Sequence, residues 1–315
     1  MQLVAILLNT VSILTLLSGA AVFFGATKGD RLRSAWFFIA TIFATIWMVT
    51  IGIFITATID TDLGLMAHIV NWTYASSVFI DIALLGYISW KQRYGKILTI
   101  TFFTLGVILS TVFFMNPSLL YTEIILSNSG NSLVTNVGPF YFIFIAFFCC
   151  LVPAVMITLL SNIIHPTSKK VRSSDIVLLI GFGISGTMSL IFNLILPFWT
   201  WDLVWLGPIA ISTTIIAFYY TVLKYRTINL SSIWLKILSY IVIIASIAIL
   251  YMVVFYIIFT AMFRGSTPST EVIILNFVMV LFFLLLMPAM SRLLVVVRSL
   301  ISSQSTTKKD HTEHD

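Results

Sequence analysis

MAHIVNWTYASSVFIDIALLGYISW, residues 66–90, is followed directly by KQRYGK, residues 91–96. The first piece is long enough to cross a hydrocarbon layer of about 30 Å at about 1.5 Å of helical rise per residue. It contains one charged side chain, Asp81. The second piece contains Lys91, Arg93 and Lys96. An apolar run of membrane length, closed by a basic cluster, predicts a transmembrane helix that ends on the cytoplasmic side.

The same pattern extends in both directions. Runs of membrane length lie at 3–26, 34–56, 66–90, 97–114, 139–164, 176–196, 206–223, 235–263 and 272–294. Basic residues cluster after every second boundary: Lys28, Arg31 and Arg33 after the first run, and Lys169, Lys170 and Arg172 after the fifth. Lys224, Arg226 and Lys236 follow the seventh, and Arg292, Arg298, Lys308 and Lys309 close the chain. Of 17 Lys and Arg residues only Arg264 falls on the opposite side, which carries Asp60, Asp62, Glu123, Asp202 and Glu271. The distribution predicts an all-α, polytopic bundle of nine spans, with the amino end outside and the carboxyl end cytoplasmic. The apolar start has no basic residue before it, so the first span is expected to be retained rather than cleaved as a signal peptide.

Composition agrees. The 315 residues are 60% hydrophobic and 9% charged, against about 25% charged in a soluble domain. A water-facing surface cannot be built from so few charges. The net charge of +6 is accounted for by cytoplasmic loops, so no nucleic-acid partner is expected; the lipid bilayer is. Cys149 and Cys150 are adjacent within an apolar run, which suits small helix-packing residues rather than a disulfide. No Cys or His spacing suggests a metal, and no cofactor is expected.

Between the fourth and fifth runs, β-prone stretches at 121–126 and 133–137 flank Ser127-Asn128-Ser129-Gly130-Asn131-Ser132. That pattern predicts a short hairpin, with a flexible loop as the alternative. Trp47, Trp72, Trp90, Trp199, Trp201 and Trp205 fall near span ends and read as interfacial anchors. Pro153 and Pro288 are expected to kink their helices. Gly181, Gly183 and Gly186 resemble a nucleotide-loop pattern, but no strand precedes them. They are read as allowing close helix packing.

Asp81 is the sharpest chemical signal. A charged Asp at a helix centre costs roughly 2.5–3.5 kcal/mol on insertion scales, so it must face the bundle, be protonated or find partners. Candidate partners are Asn193, Asn276, Thr73, Ser76 and Ser77. One reading makes Asp81, with Asn193 and Asn276, an intramembrane switch or binding site; the other makes it a structural interhelical hydrogen bond. His68, Asn71 and Trp72 sit near the outer end of the same helix. With Asp60, Asp62, Tyr121 and Glu123 from adjoining loops, and Trp201 and Asp202 before the seventh run, they are candidates for the rim of an outward-facing pocket. Scattered interfacial residues are the competing reading. No late-helix Lys suits a retinal Schiff base and no His-Glu-x-x-His motif is present, so no enzyme activity is expected.

Several features together resemble the amino-terminal seven-helix sensor region of bacterial histidine kinases. They are the basic loop Lys28–Arg33 before a helix carrying Trp47, and Gly138-Pro139-Phe140-Tyr141 after the hairpin. Leu206-Gly207-Pro208 opens the seventh run, and Tyr219-Tyr220 with Lys224-Tyr225-Arg226 closes it. Leu286-Met287-Pro288 and Arg292-Leu293 are similar to the exit of members with two extra spans. The resemblance implies a sensor-like domain over 1–230, two additional helices and a cytoplasmic exit over 231–301, and a disordered polar tail over 302–315. It implies a multi-pass protein of the bacterial inner membrane. The kinase core is absent from these residues, so a separate cytoplasmic kinase or regulator is the expected partner. A homodimer formed through the apolar stripe at 292–302 is also expected. The competing functions are a proton-coupled transporter or small-solute permease using Asp81, and a noncatalytic membrane scaffold.

Overall fold

A computed structural model describes residues 2–57, 63–89, 93–126, 133–166, 168–198, 203–225 and 251. The predicted eighth and ninth spans and the tail lie outside the described residues. So do Trp201, Asp202, Asn276, Asp60 and Asp62. Apart from Tyr251, the described residues belong to one compact unit, Met1–Ser246.

Seven helices run in chain order: α1 (Gln2–Gly25), α2 (Arg31–Thr56), α3 (Leu63–Ser89), α4 (Arg93–Met115), α5 (Tyr141–Ile164), α6 (Lys169–Ser189) and α7 (Leu206–Tyr225). Six of them, α1 to α6, are long and apolar enough to cross a membrane; α7 is apolar over the shorter stretch Leu206–Val222. Each helix packs on the next except across the hairpin between α4 and α5, where the contact is slight. α3 is the central helix, touching α2, α4 and α5, and α7 returns to α1 and α2. α4 is the most peripheral, exposing Ile97, Ile100, Phe103, Leu105 and Ile108.

The hairpin marked in the sequence is present. β1 (Tyr121–Leu126) pairs antiparallel with β2 (Leu133–Val137), with an irregularity between Tyr121 and Glu123. Its base is fixed to the bundle by Gly138, whose N–H donates to the Leu120 carbonyl at 2.7 Å. A Cβ there would lie 2.5 Å from the Leu119 carbonyl oxygen, so only glycine admits this backbone approach. The Tyr121 hydroxyl donates to the Ala67 carbonyl on α3 at 2.9 Å.

α6 begins earlier than hydropathy suggests. Ser168 caps it by accepting from Val171 N–H at 3.2 Å. Lys169, Lys170 and Arg172 therefore ride on the first helical turns instead of in a loop. At its other end the helix widens into a π turn (Leu190–Ile195) and then tightens into a 3₁₀ turn (Leu196–Phe198). Pro197 has no N–H to give the Asn193 carbonyl four residues earlier. The Tyr141 hydroxyl supplies the missing donor, at 3.0 Å.

Of Gly181, Gly183 and Gly186, only Gly181 makes the close helix packing expected of the three; a Cβ on Gly183 or Gly186 would meet ordinary contacts at 3.8 and 3.5 Å. A Cβ on Gly181 would run into Ala217, and the Thr213 hydroxyl donates to the Gly181 carbonyl at 3.0 Å, so α6 and α7 approach backbone to backbone. Two other readings are corrected. Cys149 and Cys150 are exposed on the outer face of α5 rather than packed between helices. Trp47 is buried in the bundle rather than held at an interface, because it lies well inside α2 (Arg31–Thr56) on the face that packs inward.

Candidate functional site

Asp81 borders a cavity of about 60 Å³ within the helical unit, lined by residues of α2, α3, α5, α6 and α7. Its α3 wall is the stripe Val70, Tyr74, Ser77, Asp81 and Leu84. That spacing of three and four residues is one face of a helix. α2 presents Trp47, Ile51 and Phe54 with the same periodicity, and α5 presents Phe144, Phe148 and Val152. The lining residues of α3, from Val70 to Leu84, span roughly 21 Å of helix at about 1.5 Å per residue. The cavity walls are mainly aliphatic and aromatic.

The polar groups beside Asp81 are committed elsewhere. Thr73 donates to the Ile69 carbonyl at 2.8 Å and Ser77 to the Tyr74 carbonyl at 2.7 Å. Ser76 donates to the Trp72 carbonyl at 2.6 Å. On α6 and α7, Ser185 and Thr214 bond to each other and Ser189 donates to the Gly207 carbonyl at 3.3 Å. Serine and threonine hydroxyls within helices commonly bond back to the preceding turn. Thr73, Ser76 and Ser77 are thus not the partners the sequence offered for Asp81. Among the described residues Asp81 has no hydrogen-bond or ion-pair partner.

Asn193 lines the same cavity, as the sequence pairing of these two residues requires. It does not hydrogen bond to Asp81: its amide lies against Gly207, and neither amide atom has a partner among the described residues. The π turn sets this position. One extra residue per turn rotates Asn193 out of the register that an unbroken α-helix would give it.

The predicted outer pocket is not assembled from its described members. His68 and Trp72 are exposed, and Trp72 packs edge-on against Phe114 of α4 at 5.4 Å. Asn71 is buried, its amide atoms without partners among the described residues. The reason is helical geometry: residues 68, 71 and 72 point away from the 70–74–77–81 stripe that faces the cavity. Trp201 and Asp202 lie outside the described residues.

The structure adds an acid that the sequence scan passed over. Asp175 is buried near the start of α6, beside the Arg33 guanidinium and hydrogen bonded to the Asn162 side chain. Arg33 also lies over the Tyr87 ring, 4.3 Å from its centre. Phe37, one turn further along α2, stacks on Phe218 of α7 at 3.4 Å. This end of the unit is therefore an assembly of a charge interaction between Asp175 and Arg33, a cation–π contact and stacked rings that joins α2, α3, α6 and α7. The available signal was Asp175 at the spacing of an amphipathic first turn; a hydropathy window that opens at Ile176 discards it.

Among the described residues no group of three or more His, Cys, Asp or Glu side chains is placed to hold a metal ion. The fold and site define a multi-pass helical membrane protein with an acid-bearing cavity inside its helices. No family model, no curated protein and no solved structure matches the chain.

Proposed function

We propose that the protein is a membrane sensor, in which occupation of the cavity at Asp81 shifts the helices and signals to a separate cytoplasmic partner. The observation that carries this reading is Asp81 on the wall of an interior cavity, without a hydrogen-bond or ion-pair partner among the described residues. An acid retained there without a structural bond is expensive in a membrane, which favours a functional role. The resemblance to the seven-helix sensor region of histidine kinases supports the same reading. So does the rigid connection at the other end, where Phe37 and Phe218 couple α2 to α7.

In this proposal the chain has nine spans, with its amino end outside and its basic loops in the cytoplasm of a bacterial inner membrane. Residues 231–301 carry the signal out through two further helices and 292–302 pairs two copies. A kinase or regulator of the cytoplasm receives it. A second reading, a small-solute permease in which Asp81 carries the coupling proton, draws on the same cavity.

The two separate in one pair of measurements. Crosslinking in native membranes should capture a cytoplasmic kinase-class partner with the wild-type chain. Capture of the chain alone, together with solute uptake into reconstituted vesicles that Asp81→Asn abolishes, would replace the sensor reading with the permease.

A further inference from the structure

We propose that the cavity at Asp81 binds a small alkylammonium cation. The inference rests on the proposed role of the cavity as a ligand site and names the chemistry of its ligand. Three observations lead to it, concerning charge, wall and size.

The charge comes from Asp81. Among the described residues it is the only acidic or basic side chain on the cavity wall, and none of them offsets it. An anion would meet repulsion there. A neutral apolar ligand would leave the carboxylate without a counter-charge, in surroundings where its insertion costs roughly 2.5–3.5 kcal/mol. A cation removes that cost at its source.

The wall rejects a bare inorganic ion. Such an ion needs a shell of oxygen ligands, six or more for a hard divalent cation. Among the described residues Asp81 is the one carboxylate on the wall. The hydroxyls of Thr73, Ser77, Ser185 and Ser189 are oriented by bonds to backbone carbonyls or to Thr214, on separate helices. Asn193 adds a single amide oxygen, and the rest of the wall is aliphatic or aromatic, with Trp47, Tyr74, Phe144 and Phe148 contributing rings. Tyr74 and Phe144 lie edge to face at 5.0 Å. Trp47 makes no ring contact among the described residues, so its indole faces are not taken up by another aromatic. An ammonium that carries its own methyl or methylene groups matches both parts of this lining. Its charge meets the carboxylate, and its alkyl surface meets rings that attract cations.

Size limits the ligand further. At about 60 Å³ the cavity is less than half the volume of an apolar cavity of about 150 Å³ that accepts benzene. A compact head group fits; a drug-sized amine does not.

The test uses the full chain in lipid nanodiscs, titrated with methylammonium through tetramethylammonium chloride and, separately, with the neutral tert-butyl alcohol. Trp fluorescence and thermal unfolding are both read, with sodium chloride at matched ionic strength as the reference. The expected result is saturable binding of at least one ammonium, with a rise in Tm, and affinity at least about tenfold lower for Asp81→Asn, the change that corresponds to roughly 1.4 kcal/mol. The alcohol should bind at least as weakly as the ammonium binds the variant. The alcohol arm needs no variant, so the comparison holds even if Asp81→Asn fails to fold. Equal binding of alcohol and ammonium by the wild type overturns the cation inference and leaves the cavity a ligand site. Saturation by neither overturns both the inference and the ligand-site reading on which it rests.

Discussion

Asp175 and Asp81 are both carried on helices of membrane length, one beside an arginine and the other beside a cavity. Asp175 has the Arg33 guanidinium and the Asn162 side chain as neighbours, and Arg33 is itself held over Tyr87. Asp81 has apolar rings and aliphatic groups around it and, among the described residues, no partner. The same side chain therefore performs two different tasks. At the basic-loop end a satisfied acid closes the helices together. In the interior an acid with no partner among the described residues is kept where packing alone would favour its removal. Structural and functional burial of charge can be told apart by which neighbours remain after the local hydrogen bonds have been assigned.

The comparison can be broken most forcefully at the satisfied end. Arg33→Met leaves Asp175 buried without its cation and should lower unfolding stability in detergent micelles by about 3 kcal/mol, the cost of breaking a buried pair from one side. A loss indistinguishable from that of an exposed lysine substitution would mean the pair is not holding the helices. The next effect has the opposite sign. Asp81→Leu should raise stability in the same assay, by up to roughly 2.5 kcal/mol, because it removes a charge from the bilayer interior. Destabilisation would show that Asp81 has a structural partner after all.

Smaller effects test the frame around the cavity. Tyr141→Phe removes the donor that satisfies the Asn193 carbonyl above Pro197. It should cost about 1–3 kcal/mol and loosen the π turn, visible as faster amide exchange over residues 190–198. The smallest effect lies outside the membrane. Burial pushes the Tyr121 phenol from 10.0 up to about 12. Its stabilising contribution is fully present below pH 10.0 and is lost as the pH rises through about 12, since the unfolded chain ionises first. Amide protection of the hairpin should fall over that window in the wild type and not in Tyr121→Phe.

Much of the helical unit was legible in the sequence because it depends on local quantities. Span existence follows from length and hydropathy, and the hairpin from β-prone runs around an Asn/Ser/Gly cluster. The isolation of Asp81 and its sharing of a site with Asn193 also came from span positions. What was not legible depends on tertiary register. The start of α6 at Lys169 is set by a cap at Ser168, and that brings Asp175 inside. The π turn changes which way Asn193 points, and nothing in Leu190–Ile195 announces it apart from Pro197 downstream. The outward-pocket expectation grouped His68, Asn71 and Trp72 by depth; the helix sets the three together on a side turned away from the cavity stripe.

The central claim is that an open cavity reaches Asp81. It is tested most directly by Asp81→Cys in a Cys149→Ala/Cys150→Ala background, with a small positively charged thiol reagent applied to sealed membranes. Ready modification of Asp81→Cys, with Ile82→Cys one position off the cavity stripe unreactive, is the predicted result. Asp81→Cys as inert as Ile82→Cys would mean that no open cavity reaches Asp81.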